Sequence, residues 1–138
     1  MNPEDIGQRY IYVIQLENEN VYVGQTPYLA KRLDEHKRGK ASKWSKIHKY
    51  EYLIDRYDAG ICTSVQAEIL ENETVLKNMK ERGWRKVRGG HLSAIEEKEI
   101  LRVMIKYRDK YKIDKDYFDV LVNELDDDMK IELSRYIQ

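Results

Sequence analysis

The segment from Tyr10 to Gly24 constrains this chain most. Tyr10-Ile11-Tyr12-Val13-Ile14-Gln15-Leu16 is β-branched and aromatic, the composition of a strand. Glu17-Asn18-Glu19-Asn20 is a turn signal, and Val21-Tyr22-Val23-Gly24 reads as the returning strand. Side chains alternate faces along a strand. Tyr12 and Tyr22 therefore share a face only if directly paired residues sum to an even number. An odd-length loop, such as Glu17-Asn18-Glu19 closed by Leu16 and Asn20, meets that condition, as does a bulge. The expectation is one of these devices, with both phenols on one face.

After the hairpin, Thr26-Pro27 reads as N-cap and first residue of a helix that ends at Gly39. Its Leu29 and Leu33 are expected to face the sheet. Arg32 and His36, one turn apart, share a face that this places at the rim of the core. Ser42 to Lys49 suggests a second short helix, and Tyr50, Tyr52 and Ile54 alternate with polar residues as a third strand. Thr63-Ser64-Val65-Gln66 is a capping box opening a helix that runs to about Arg82 and closes at Gly83. Arg88-Gly89-Gly90 reads as a loop, and Ser93 to Lys112 and Asp116 to Ile137 as helical. The expected fold is α+β: a small three-stranded antiparallel sheet flanked by helices over residues 8–92, then a C-terminal helical extension over 93–138.

The 25 Lys and Arg residues balance 25 Asp and Glu residues, yet the charges are segregated. Eight basic residues fall between Lys31 and Lys49, opposed only by Asp34 and Glu35, while Glu124 and Asp126-Asp127-Asp128 sit late. Segregation matters more than net charge for a polyanionic partner. The lone cysteine, Cys62, allows no internal disulfide, and with three histidines a structural zinc site is improbable. No apolar run reaches the ~20 residues of a membrane span. Met1-Asn2-Pro3-Glu4-Asp5 lacks the pattern of a signal peptide. A cytoplasmic, reduced setting is the expectation.

On the helix from Thr63, an apolar stripe of Val65, Ile69, Val75, Leu76 and Met79 places Glu71 at its side, between Ala67 and Val75. Glu68 falls within the stripe and Glu73 projects away, so geometry allows either Glu71 or Glu68 near the core. Each feature alone has an ordinary explanation: paired hairpin tyrosines usually pack across strands, and a helical Arg and His are usually surface residues.

In combination the residues resemble the GIY-YIG nuclease family. Tyr22-Val23-Gly24 matches its second half-motif; in the first, Tyr10 stands where the family often has Gly before Ile11-Tyr12. Arg32, eight residues past Gly24, and His36, one turn later, match the family's helix positions. Ser42-Lys43-Trp44-Ser45-Lys46-Ile47-His48 looks like the basic-aromatic stretch that follows, and Val87-Arg88-Gly89-Gly90 resembles a loop of phage and large-virus members. The family's metal-binding glutamate lies four residues after an Ala, so Ala67 points to Glu71.

The resemblance implies a metal-dependent DNA endonuclease. Tyr12 would be the general base, Tyr22 would position water or phosphate, and Arg32 would hold nonbridging oxygens. His36 would be a phosphate donor or a proton shuttle. Glu71 would bind one Mg²⁺ or Mn²⁺ with waters. Gly24, Lys40, Lys43, Trp44, Lys46 and Arg88 would contact double-stranded or branched DNA, although Trp44 has packing under the sheet as its alternative. The rival reading is a fold that has lost catalysis and only binds nucleic acid or protein. The C-terminal helices either pack on the nuclease core or form a homodimer. With about 45 residues outside the resemblance, a free-standing or phage-type nuclease is expected rather than a multidomain repair enzyme.

Overall fold

The structure is a computed structural model, and it describes residues 5–138. Residues Met1 to Glu4, where the absence of a signal sequence is read, lie outside the described part. The chain divides into two compact units, one up to Ser93 and one spanning Ala94–Gln138.

The first unit is built on β1 (Gly7–Leu16), β2 (Val21–Thr26), β3 (Tyr50–Cys62) and β4 (Val87–Gly89) in the order β3-β1-β2-β4. The β1–β2 hairpin closes through Leu16 N–H donating to Asn20 O at 2.7 Å, leaving the three-residue loop Glu17-Asn18-Glu19. Asn18 and Glu19 adopt positive φ, 59° and 64°, which lets the chain reverse within three residues. Tyr12 consequently pairs with Gly24 and Tyr22 with Ile14. All the pairs sum to an even number, so both tyrosines project from the same face.

The sheet has four strands where three were expected, and it is mixed. β4 runs parallel to β2, with Val21 opposite Val87 and Tyr22 opposite Arg88. Only three residues long and ending in glycine, β4 is too short for a period-two pattern. It becomes a strand through a partner some 65 residues away. The β1–β3 pairing carries register shifts that bend β3 along β1.

The helices of this unit are α1 (Leu29–Lys37), α2 (Lys43–Ile47) and α3 (Ser64–Arg82). Thr26 is not the cap of α1. It ends β2 and accepts a hydrogen bond from Tyr28 N–H at 3.0 Å, and the helix starts at Leu29. Ser42 caps α2 by accepting from Ser45 N–H. Thr63 and Gln66 form the complete capping box of α3, which stops at Gly83. The buried face of α3 differs from the expected stripe: Ala67, Glu71, Val75, Leu76, Asn78 and Met79 are buried, whereas Val65 and Ile69 are exposed. Two polar residues on the inward face, Glu71 and Asn78, hide that face from a reading by hydrophobicity alone.

In the second unit, α4 (Glu97–Lys106), α5 (Lys115–Asn123) and α6 (Asp127–Glu132) bury Ile100, Leu101, Met104, Ile105, Phe118, Leu121 and Met129, and Leu133, which ends α6, is buried with them. The two long helices expected here are shorter and more numerous. The second breaks because Asp126 caps a new helix, accepting from Met129 N–H at 2.8 Å. Arg102 forks onto Glu132, with Nε to Oε2 at 2.7 Å and Nη2 to Oε1 at 3.1 Å, tying α4 to α6. No helix among the described residues is long and apolar enough to cross a membrane.

Candidate active site

Tyr12 lies at the middle of β1, 2% exposed. Its phenol has room because Gly24 sits opposite: a Cβ at Gly24 would collide with the Tyr12 hydroxyl and ring. The hydroxyl hydrogen-bonds to His36 Nε2 at 2.7 Å, and the two rings meet edge-on, 5.4 Å between centroids. Tyr22, half-buried, lies 6.3 Å from Tyr12 and 5.0 Å from His36 by ring centroids. α1 thus covers the tyrosine face of the hairpin.

His36 differs from its expected place. It is 1% exposed and is the one buried residue of α1, while Leu29 and Leu33 are only half-buried. The hydrogen bonds explain this inversion. Nε2 meets Tyr12, and Nδ1 meets Ser45 Oγ at 2.8 Å, so an imidazole with both nitrogens satisfied fills the space beneath the helix. Burial, and then the Arg32 charge, hold its pKa down to about 4, so the ring is neutral near pH 7.

Arg32 stands on the same face of α1, partly exposed, with Glu35 at 4.0 Å. Its positive charge reaches Tyr12, Tyr22, His36 and Glu71 alike. Glu71, on α3, is 7% exposed and accepts a hydrogen bond from the backbone N–H of Gln25, the residue after Gly24. Burial foremost, and then the Glu68 charge, push its carboxyl up to about 7, against the Gln25 bond and Arg32. Glu71 in turn raises both phenols, whose burial is the larger cause; Tyr22 is pushed up to about 12 and Tyr12 higher still. Tyr12, Tyr22, Arg32, His36 and Glu71 therefore converge from four segments. Glu68 instead lies 3.4 Å from His91 and is partly exposed.

The Glu71 carboxylate suits a hard divalent cation. Burial disfavours its charged form and raises its proton affinity, and a positive ion beside the carboxylate would relieve that cost. Space at Glu71 is kept by Gly90 (φ 52°), where a Cβ would come within 3.3 Å of Glu71 Oε1 and collide with Asn72. Among the described residues no three His, Cys, Asp or Glu side chains gather as a preformed metal cage. The donor set is thus a single carboxylate to be completed by water, in keeping with an ion that retains much of its hydration.

The residues expected at nucleic acid divide. Lys40, Lys43 and Lys46 are exposed around α2. Trp44 and Arg88 are not surface contacts. Trp44 is 6% exposed, and Arg88 is fully buried with its guanidinium 4.6 Å over the Trp44 ring and Nη1 donating to Trp84 O at 2.7 Å. A cation–π stack under the sheet outweighs the surface role that the basic-aromatic spelling suggested. Gly24 serves the Tyr12 phenol from inside. Ser45 and Ser42 escaped the sequence reading, although the Ser-x-x-Ser spacing at a helix start is a capping signal that points to them.

A family model described as the GIY-YIG catalytic domain matches residues 8–87. No curated protein and no solved structure matches the chain. The matched span contains the hairpin with its two phenols, α1, and Glu71 on α3, and covers more than half of the sequence; the chain belongs to the GIY-YIG nuclease family.

Proposed function

We propose that this protein is a divalent-metal-dependent endonuclease that hydrolyses DNA phosphodiesters. Residues 8–92 would form the nuclease domain and 93–138 a helical extension. The observation that carries the reading is that Tyr12 and Tyr22 lie on one face with ring centroids 6.3 Å apart and both feel the charges of Arg32 and Glu71, which gathers a guanidinium, a carboxylate and two hydroxyls at one place.

In this reading Arg32 holds nonbridging phosphate oxygens, and Tyr22, the more accessible phenol, orients the attacking water. The water gives a proton to Tyr12 Oη while the phenol passes its own proton to His36 Nε2 at 2.7 Å. A bond forms from the water oxygen to phosphorus, the bond to the leaving oxygen breaks, and solvent reprotonates that oxygen. The imidazolium later returns its proton through Tyr12. Both nitrogens of His36 are already engaged within the protein, which supports the shuttle role over that of phosphate donor. Burial is the larger cause of the neutral His36; the phosphodiester's negative charge beside Arg32 would offset the smaller one, the repulsion by the guanidinium. Glu71 would hold one Mg²⁺ or Mn²⁺, which when bound would supply electrostatic stabilisation of the charge that develops in phosphodiester cleavage.

The exposed Lys40, Lys43 and Lys46 supply backbone contacts that set affinity without sequence choice. The rival reading, a binding module without catalysis, draws on the burial of Tyr12 and its firmly held proton. Plasmid and branched DNA incubated with Mg²⁺ or Mn²⁺ separates the two. Cleavage by wild type that is lost in Glu71→Ala supports the nuclease; tight binding with no cleavage supports the rival.

A further inference from the structure

We propose that Ser45, itself held by Ser42, is a positioning residue that locks His36 in the tautomer protonated on Nδ1 and so turns the Nε2 lone pair toward the Tyr12 hydroxyl. The four groups form a chain that is buried from Tyr12 to Ser45 and half-buried at Ser42: Tyr12 Oη to His36 Nε2 at 2.7 Å, His36 Nδ1 to Ser45 Oγ at 2.8 Å, and Ser45 Oγ to Ser42 Oγ at 2.9 Å. Tyr12, His36 and Ser45 are each about 2% exposed or less, so solvent does not compete for these bonds.

The direction of the chain follows from what each end can accept. Ser45 has a single hydroxyl proton. Two acceptors on Ser42 lie within its reach, the carbonyl oxygen at 3.3 Å and Oγ at 2.9 Å. Ser42 is itself fixed as the cap of α2, accepting from Ser45 N–H at 3.0 Å. With its proton directed to Ser42, Ser45 Oγ presents a lone pair to His36, which must then carry hydrogen on Nδ1. The opposite tautomer would have Nε2–H donating to Tyr12. Among the described residues the Tyr12 hydroxyl has His36 as its one hydrogen-bond partner, so its own proton would then be buried without an acceptor. The acceptors on Ser42 let Ser45 receive the Nδ1 proton, and the Tyr12 end selects the same tautomer.

The catalytic consequence rests on the nuclease reading, since only a proton-accepting Nε2 can relieve Tyr12 of its proton. The tautomer itself does not rest on it, and this separates the two tests. Long-range proton–nitrogen correlation spectra of nitrogen-labelled protein read the tautomer directly, with His36 identified through His48→Gln and His91→Gln. The expected wild-type state is Nδ1–H. Ser45→Ala removes the acceptor of Nδ1–H, so each tautomer then leaves one buried donor unpaired and His36 becomes a mixture of the two. In the same variant kcat for cleavage falls by about 10- to 100-fold with KM unchanged, less than the ~10²–10⁴ of removing an acid–base group outright. Nε2–H in the wild type overturns the proposal, even if Ser45→Ala fails to fold. An unchanged Nδ1–H in folded Ser45→Ala overturns it as well. A wild type that shows Nδ1–H but cuts no DNA overturns the nuclease reading and leaves Ser45's control of the ring standing.

Discussion

Gly24 lies directly across the β1–β2 ladder from Tyr12, and a methyl group there would occupy the space of the phenol's hydroxyl. The glycine of the second half-motif is thus a cavity for the tyrosine of the first. Gly24→Ala is expected to displace Tyr12 from His36. Overpacking of this kind costs about 1–3 kcal/mol. Thermal unfolding measures that cost, and cleavage is expected to fall by more than the lost stability accounts for. A variant that cuts as well as wild type would separate the glycine from the site.

Tyr12→Phe removes the hydroxyl and leaves His36 Nε2 without its buried partner. Cleavage should drop by about 10²–10⁴. Stability should fall by about 1–3 kcal/mol, the cost of leaving one buried polar group unsatisfied. Tyr52→Phe, on an exposed position of β3, should change neither quantity.

Glu71 links stability to pH. Its folded pKa, about 7, lies above the ordinary 4.5, so the folded state holds a proton that the unfolded chain has released. Its contribution is complete below about pH 4.5 and is lost as pH rises through about 7. On the order of 3–4 kcal/mol is at stake, because each tenfold change in proton affinity is worth about 1.4 kcal/mol. Denaturant titrations in chelator should show wild type losing stability across this window and Glu71→Gln losing less. Adding Mg²⁺ above the window should stabilise wild type and leave the variant unmoved.

The exposed and buried basic residues should behave oppositely. Lys43→Ala and Lys46→Ala each lower the slope of log affinity against log salt by roughly one unit per lost phosphate contact, with folding unaffected. Arg88→Ala, which empties a buried stack on Trp44, should lower the melting temperature. If Arg88→Ala weakens DNA binding at full stability, the buried role of the guanidinium is wrong.

Much of the site was legible because its information is local. The loop between Leu16 and Asn20 is three residues long, and its length alone settles the parity that puts Tyr12 and Tyr22 on one face. Thr63 and Gln66 announce α3 because capping chemistry acts across three residues. Other features depend on partners distant in sequence. Val87–Gly89 is a strand only because β2 offers it an edge. Trp44 and Arg88 spell a nucleic-acid contact, yet each is the other's buried partner. By hydrophobicity His36 belongs at the surface and Leu33 inside. Tertiary structure reversed this order because Tyr12 and Ser45 satisfy both imidazole nitrogens, and a buried polar ring that is fully bonded no longer carries the cost that would have kept it out.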